Sequence, residues 1–163
     1  MRLAIWLPGE PRTKGSVDVR RNRWGGTYII PNNVNLGVWT DSVIILVRSA
    51  LARTGKRLRK AEKPAIPSGP VRLDAFFHLP RPKSHFIGRD GRRLKPTAPT
   101  WHYVKPDQDK LERALFDALK KAGVYTDDAQ VADGVRRKVW ANPARGPGVE
   151  LVVEAIVEEV SGT

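Results

Sequence analysis

Four aspartates stand at the two ends of one amphipathic segment within residues 105–131, a stretch that also carries many basic side chains. Asp107 and Asp109 precede an amphipathic segment, and Asp127 and Asp128 follow it. If the chain turns back after this segment, all four carboxylates can meet. Carboxylates brought together raise each other's pKa unless a hard divalent cation or basic neighbours neutralise them. A magnesium site is the simplest chemistry that explains the group.

Each aspartate taken alone has a structural explanation that needs no metal. Asp109 can cap a helix, Asp107 can occupy the entry turn, and the Asp127–Asp128 pair can form a polar turn before a strand. Their occurrence together favours a functional site, although spacing alone leaves both interpretations open. Three cations are interspersed with the carboxylates: Lys105, Lys110 and Arg113.

The element between the two aspartate pairs is predicted to be a helix over residues 110–122. Its apolar residues repeat at a spacing of three and four: Leu111, Leu115, Ala118, Leu119 and Ala122. Pro106 disfavours helix before it, Asp109 with Glu112 resembles a capping box, and Gly123 is typical of a helix end. Before an Asp109 cap the chain would be extended, so Asp107 and Asp109 would point to the same side.

The string K-P-D-x-D-K-L-x-R-A-L-x-D-A-L, followed by V-Y-T-D-D-A-Q-V, resembles the signature of the RusA family of Holliday junction resolvases, which are phage- and prophage-associated endodeoxyribonucleases. The family has Asn where this chain has Lys110, and Lys where it has Arg113. The resemblance places the metal-binding acids at Asp107, Asp109 and Asp128, with Asp127 as their neighbour. The implied cofactor is Mg²⁺, with Mn²⁺ as an alternative.

The resemblance also implies an activity: Mg²⁺-dependent, structure-selective cleavage of four-way and other branched DNA by paired nicks, in DNA recombination and repair. It implies a homodimer, and a bacterial, phage- or prophage-encoded protein of the cytoplasm. The implied catalytic residues are Asp107, Asp109, Asp128 and Arg113. The implied DNA-binding residues are Arg12, Lys14, Lys105, Lys110 and Arg113. The Arg12–Lys14 loop, with Ser16, resembles the family's N-terminal segment.

Two other functions agree with part of this pattern. A non-catalytic basic module that binds nucleic acid explains the positive charge, but it does not explain four acids that would repel phosphate. A metal nuclease for flaps or single-stranded ends would use the same residues, and only the family resemblance separates it from a junction resolvase. Cleavage of a four-way junction beside linear and flap controls distinguishes all three.

Composition points to a polyanionic partner. The chain has 163 residues, with 29 Lys and Arg against 17 Asp and Glu, which gives a net charge of +12. The absence of cysteine excludes disulfides, thiolate zinc sites and cysteine nucleophiles. No stretch approaches the roughly 18 apolar residues that a membrane span needs, so we expect a soluble protein.

Periodicity predicts the scaffold. Strands are expected at residues 3–7, 27–31 and 70–79, a basic hairpin or loop containing Trp24 before the second of them, and a helix over 36–53. Residues 55–63 read as a basic loop and 80–104 as a long loop that contacts DNA and is mobile without it. The three histidines, His78, His85 and His102, lack the spacing of a zinc site, and only His102 lies close to Asp107 along the chain.

The last two strands are predicted at residues 131–141 and 149–159, joined as an antiparallel hairpin by the turn-rich N-P-A-R-G-P-G, with Arg136 and Lys138 facing the same way. The predicted fold class is therefore α+β, a single small RusA-like domain over residues 1–163 with a mixed sheet and two packed helices. Helix 36–53 and the edge of the hairpin are the predicted dimer contacts.

Overall fold

The computed structural model describes residues 1–14, 17–21, 27–31, 35–55, 63–88 and 90–157, with only the backbone described for 17–21 and 27–31. The elements in chain order are β1 (Arg2–Pro8), β2 (Val17–Arg21), β3 (Thr27–Pro31), α1 (Leu36–Arg53), β4 (Val71–Leu79), β5 (Phe86–Ile87), β6 (Arg93–Leu94), α2 (Gln108–Ala122), β7 (Val131–Asp133), β8 (Arg136–Trp140) and β9 (Gly148–Ala155). Short 3₁₀ turns occur at Lys83–His85 and Asp128–Gln130.

A five-stranded mixed sheet forms the centre of the fold. β9 pairs antiparallel with β1 on one side and with β4 on the other, while β7 and β8 follow one another along the far edge of β4 and run parallel to it. Together with the two helices, this sheet confirms the predicted α+β class. That the whole chain from residue 1 to 163 is one domain stays a prediction.

β4 determines which face of the sheet is buried. Its Val71, Leu73, Ala75 and Phe77 are fully buried, while the residues between them are half-buried, as the alternation predicted. Both helices pack on this face. They contribute to the core Trp39, Val43, Val47 and Leu51 from α1, and Leu111, Leu115 and Leu119 from α2. Burying each leucine contributes about 1.5–3 kcal/mol, so both helices are held mainly by this face.

The predicted C-terminal hairpin is wrong. β8 and β9 do not pair with each other, because β4 lies between them: Phe76 pairs with Arg137 of β8 on one side and with Glu150 of β9 on the other. The turn-rich connection over residues 141–147 crosses the end of β4 instead of closing a tight turn. Pairing on both edges makes β4 an interior strand of the sheet, and alternation within β8 and β9 does not encode that choice.

The segment over residues 80–104, predicted as a loop, contains secondary structure of its own. β5 pairs with β6, and Trp101 forms an isolated bridge with Val139 that extends the sheet. The half-buried guanidinium of Arg81 anchors the segment by donating to the carbonyls of Ala141 and Pro99, each at 2.8 Å. Contact of this segment with DNA, and its mobility without DNA, stay predictions.

The strand predicted at residues 27–31 is confirmed as β3, and its antiparallel pairing with β2 over five residues each favours the hairpin over the loop that the sequence also allowed. The described residues do not include Ser16, Arg23, Trp24 or residues 56–62 of the predicted basic loop. In the part of the chain that is described, neither helix is both long and apolar enough to cross a membrane.

Candidate functional site

The candidate site begins at the first turn of α2. The helix starts at Gln108, so Asp107 is its N-cap, with φ −70° and ψ 141°, and its side chain makes no capping hydrogen bond. The prediction that Asp109 caps the helix is wrong, because the restriction imposed by Pro106 falls on Lys105 and leaves Asp107 free to precede a helical residue. The Asp107 carboxylate is therefore available for other partners. The helix ends at Gly123 with φ 83°, as predicted.

Asp107 and Asp109 are exposed, and each contacts a cation. Lys110 Nζ lies 3.1 Å from Asp107 Oδ2, and Arg113 Nη2 lies 3.7 Å from Asp109 Oδ2. The hydrogen bond from Lys110, aided by the charge of Lys105, lowers the pKa of Asp107 below its usual value. Asp107 is consequently ionised at neutral pH and can act as an oxygen donor to a hard cation. Asp109 lies inside the helix, so the predicted same-side arrangement of an extended chain does not apply.

Lys138 of β8 holds the segment that leads into Asp107. Its ammonium donates to the carbonyl of Val104 at 2.7 Å and to that of Pro106 at 2.6 Å. Burial lowers the pKa of Lys138, while the nearby charge of Asp107 raises it. Arg136 also faces the helix side, with its guanidinium 5.6 Å from the Phe116 ring centre, which confirms that the two basic side chains share a face. The sequence pattern indicated this orientation, but not the carbonyls that Lys138 binds.

The second aspartate pair lies beside the later turns of α2. Asp127 caps the 3₁₀ turn that starts at Asp128, accepting from the Ala129 N–H at 3.0 Å. Its carboxylate also lies 2.5 Å from Lys120 Nζ, and these contacts lower the pKa of Asp127 to about 2, with the Lys120 hydrogen bond as the largest cause. The buried Tyr125 hydroxyl donates to the Phe116 carbonyl and fixes the returning chain against the helix.

Within one chain, the two aspartate pairs therefore lie apart from each other. Asp109 and Lys120, the partner of Asp127, are far apart on one helix, about 16 Å along its axis at 1.5 Å per residue. Carboxylates that share one Mg²⁺ each lie about 2.0–2.1 Å from it, so they must be within a few ångströms of one another. Across the described ranges, no three His, Cys, Asp or Glu side chains are grouped so that they could hold a metal ion.

A cationic groove surrounds the start of α2. It has a volume of about 380 Å³ and is lined by Thr13, Lys105, Pro106, Asp107 and Lys110. The N-terminal loop is fixed to the helix, because the Lys14 N–H donates to the Lys110 carbonyl at 3.2 Å and Lys14 Nζ lies 2.5 Å from Asp117. Arg12 pairs instead with Glu10 of its own loop, at 2.9 Å.

His102 lies next to this groove, in the wall of a neighbouring cavity of about 330 Å³ that also contacts Lys105 and Pro106. The imidazole is buried and packs 4.1 Å from the Trp140 ring, centre to centre. Burial, together with the charge of Lys138, lowers the pKa of His102 and keeps the ring neutral at pH 7. His102 therefore packs next to the groove as a buried, neutral side chain.

This small basic α+β fold carries the exposed, ionised carboxylate of Asp107 in a cationic groove. Its sequence matches a known protein family. The chain belongs to the RusA family: the family described as Endodeoxyribonuclease RusA matches residues 8–154. The predicted family membership is confirmed, and the match covers the aspartate region and the sheet except for β1, of which it includes only Pro8.

Similar individual proteins bear the name crossover junction endodeoxyribonuclease RusA. Those of Escherichia coli (strain K12), Shigella sonnei (strain Ss046) and Enterobacteria phage 82 are each 43% identical to this chain over 53 residues. The aligned part is 32% of this chain and 42% of each relative, so the chain matches less than half the length of these curated proteins.

Proposed function

We propose that this protein is a metal-dependent, structure-selective endonuclease that resolves four-way DNA junctions by paired nicks. The observation that carries the proposal is the exposed, ionised Asp107 beside Asp109 in a cationic groove, in a chain of the RusA family. The net charge of +12 supports a polyanionic substrate. We place its action in DNA recombination and repair, in the cytoplasm of a bacterial cell, encoded by the cell, a prophage or a phage.

The proposed metal is Mg²⁺, with Mn²⁺ as the alternative, held by Asp107, Asp109 and Asp128 with Asp127 beside them. Exposed carboxylate oxygens suit such a hard cation. When bound, the ion would polarise the scissile phosphate and lower the pKa of a water. The residues Lys110 and Arg113 now neutralise the two carboxylates, and they can turn to phosphate oxygens once a cation takes over that role.

A cage of these three aspartates needs a second copy of the chain, because one copy keeps Asp128 beside the later turns of α2. We propose a homodimer in which Asp128 of each subunit joins Asp107 and Asp109 of the other. A two-fold dimer then has two such cages, which suits a junction with two strands to be cut. Dimerisation is thereby part of the catalytic site itself.

The surface proposed for the dimer contact is α1. Its Val38 and Ile45 lie seven residues apart on one helical stripe and are 70% and 67% exposed, which is unusual for large apolar side chains on a soluble helix. The other predicted contact, the edge of a C-terminal hairpin, is ruled out for β9, because β1 and β4 occupy both of its edges.

We propose that phosphates are held by Arg12, Lys14, Lys105, Lys110 and Arg113. Lys105 is exposed at the mouth of the groove and leads directly to Asp107. Lys14 extends the same basic surface along α2. Contacts of this kind fix the register of a DNA backbone without reading its sequence, and they weaken as salt rises.

The test compares a synthetic four-way junction, a flap and a linear duplex of matched sequence, each with Mg²⁺ and with EDTA. We expect paired nicks in the junction only, and only with metal. Asp107→Asn is expected to abolish cleavage but retain junction binding, since it removes negative charge near the DNA. Equal cleavage of the flap would replace the proposal with a flap nuclease, and binding without cleavage in either metal would leave a non-catalytic module.

A further inference from the structure

The sheet has a second face, which the helices do not cover. Phe76 and His78 of β4 point away from the buried Ala75 and Phe77, and their register partners on β8 are Arg137 and Val139. The bridge between Trp101 and Val139 adds one more residue to this face, since residues paired across strands point the same way. A groove of about 280 Å³ results, lined by Phe76, His78, Thr100, Trp101, Arg137, Val139 and Glu150.

The aromatic and cationic groups in this groove are arranged for stacking. The guanidinium carbon of Arg137 lies 5.5 Å from the ring centre of Phe76 and 5.9 Å from that of Trp101, so it touches both rings. Trp101 is nevertheless 57% exposed. A large indole that is held in place by a cation, yet keeps more than half of its surface in water, has area left for a planar ligand.

A second copy of the chain does not suit this face. Ion pairs cross it between Arg2 and Glu154 and between Arg145 and Glu150, at 3.6 and 3.4 Å. The centres of interfaces between protein subunits are depleted of charged groups, whereas α1 has an apolar stripe for that purpose.

A nucleotide with an accessible base suits the site. Its planar base can stack on the indole, and its phosphate can pair with cations of this strongly basic protein, Arg137 among them. Within a duplex the bases are already stacked on each other, so the ligand must be an unpaired base. Trp101 lies six residues before Asp107 along the chain, at most about 20 Å away, so a strand that passes the candidate site can reach it.

We infer that Trp101, supported by Arg137 and Phe76, is a stacking site for an unpaired nucleobase of the DNA strand bound at Asp107. The inference rests on the proposed function, because it assumes a DNA substrate. It adds a chemical class of ligand, a single-stranded base at the branch, and a surface outside the phosphate-binding groove.

The test measures binding of oligo-dT and of an abasic oligonucleotide of equal length, which has the same phosphates but no bases. Trp101→Ala is expected to weaken oligo-dT binding about tenfold, within the range measured for single stacking residues, and to leave the abasic strand unchanged. Trp101→Phe keeps a ring and should retain most of the affinity. Melting temperatures of both variants check that the fold is intact.

Either of two binding results would overturn the inference: equal loss of affinity for the abasic strand, or no loss for oligo-dT. A smaller mass of Trp101→Ala in light scattering would also overturn it, since it would make this face a subunit interface. Junction cleavage by the wild-type protein is measured in the same series. If the junction is cut and Trp101→Ala does not change the affinity for oligo-dT, the stacking site is refuted while the proposed function stands.

Discussion

Replacing Lys138 by methionine should weaken both the fold and the candidate site. The ammonium of Lys138 makes two short hydrogen bonds to backbone carbonyls, at 2.7 and 2.6 Å, and methionine keeps the unbranched stem but lacks the terminal donor. Hydrogen bonds from charged donors contribute about 1.5–3 kcal/mol each. Because Val104 is exposed and water can replace one bond there, we expect a total loss of about 1.5–3 kcal/mol.

For a chain of this size, that loss corresponds to a fall in melting temperature of roughly 3–12 °C. Cleavage of a four-way junction should fall further than stability explains, by about a hundredfold, because the released segment carries Asp107 and a displacement of about 1 Å suffices for such a loss. Lys121→Met, an exposed lysine on α2 whose side chain does not contact this segment, is the matched control. Unchanged melting and cleavage in Lys138→Met would refute the positioning role.

Two further predictions concern the scaffold. Gly134→Ala should destabilise the protein by about 3 kcal/mol or more, because the added Cβ would lie 1.9 Å from the Leu73 carbonyl oxygen at a φ of +135°. Urea denaturation measures this loss. An unaltered midpoint would contradict the packing of the β7–β8 turn on β4. The free energy of unfolding should also fall as pH drops below about 6.5, because the unfolded chain then binds protons that the buried, neutral His102 resists. His102→Gln should lessen that slope between pH 7 and 5, and an identical slope would assign it to other groups.

The elements whose apolar residues face a single core could be predicted from sequence. The alternation around Leu73 in β4 and the three-and-four spacing around Leu115 in α2 each record which side is buried, so both elements were predicted correctly. The prediction of α1 over residues 36–53 is likewise confirmed. Periodicity works here because burial is a property of each residue in its own element.

Pairing between distant strands could not be predicted in the same way. Residues 136–140 and 148–155 have the alternation and the intervening turn residues of a hairpin, yet each strand pairs with β4. The choice depends on which edge is free after the rest of the sheet forms. For the same reason, the sequence indicated that Lys138 shares a face with Arg136 but not that it binds the Pro106 carbonyl.

The candidate site was predictable in its residue types and less so in its geometry. Asp107 and Asp109 pair with Lys110 and Arg113, cations that the sequence places among the acids, but the expected meeting of all four carboxylates does not occur within the described chain. The two aspartate pairs lie apart because Asp127 contacts Lys120 near the end of α2. The sequence predicts the length of the helix but not where the returning chain lies beside it. The helix start one residue after Asp107 likewise moved the cap away from Asp109.

Mixing two inactive variants tests the proposed shared metal site most directly. Asp107→Asn and Asp128→Asn chains, each inactive alone, are unfolded together and refolded at equal amounts. A mixed dimer then has one cage with intact Asp107 and Asp128 from different subunits. We predict that nicking of a four-way junction returns to about a quarter of the wild-type rate, because half of the dimers are mixed and each has one intact site. No recovery, with mixed dimers verified by mass, would contradict a metal site shared between subunits.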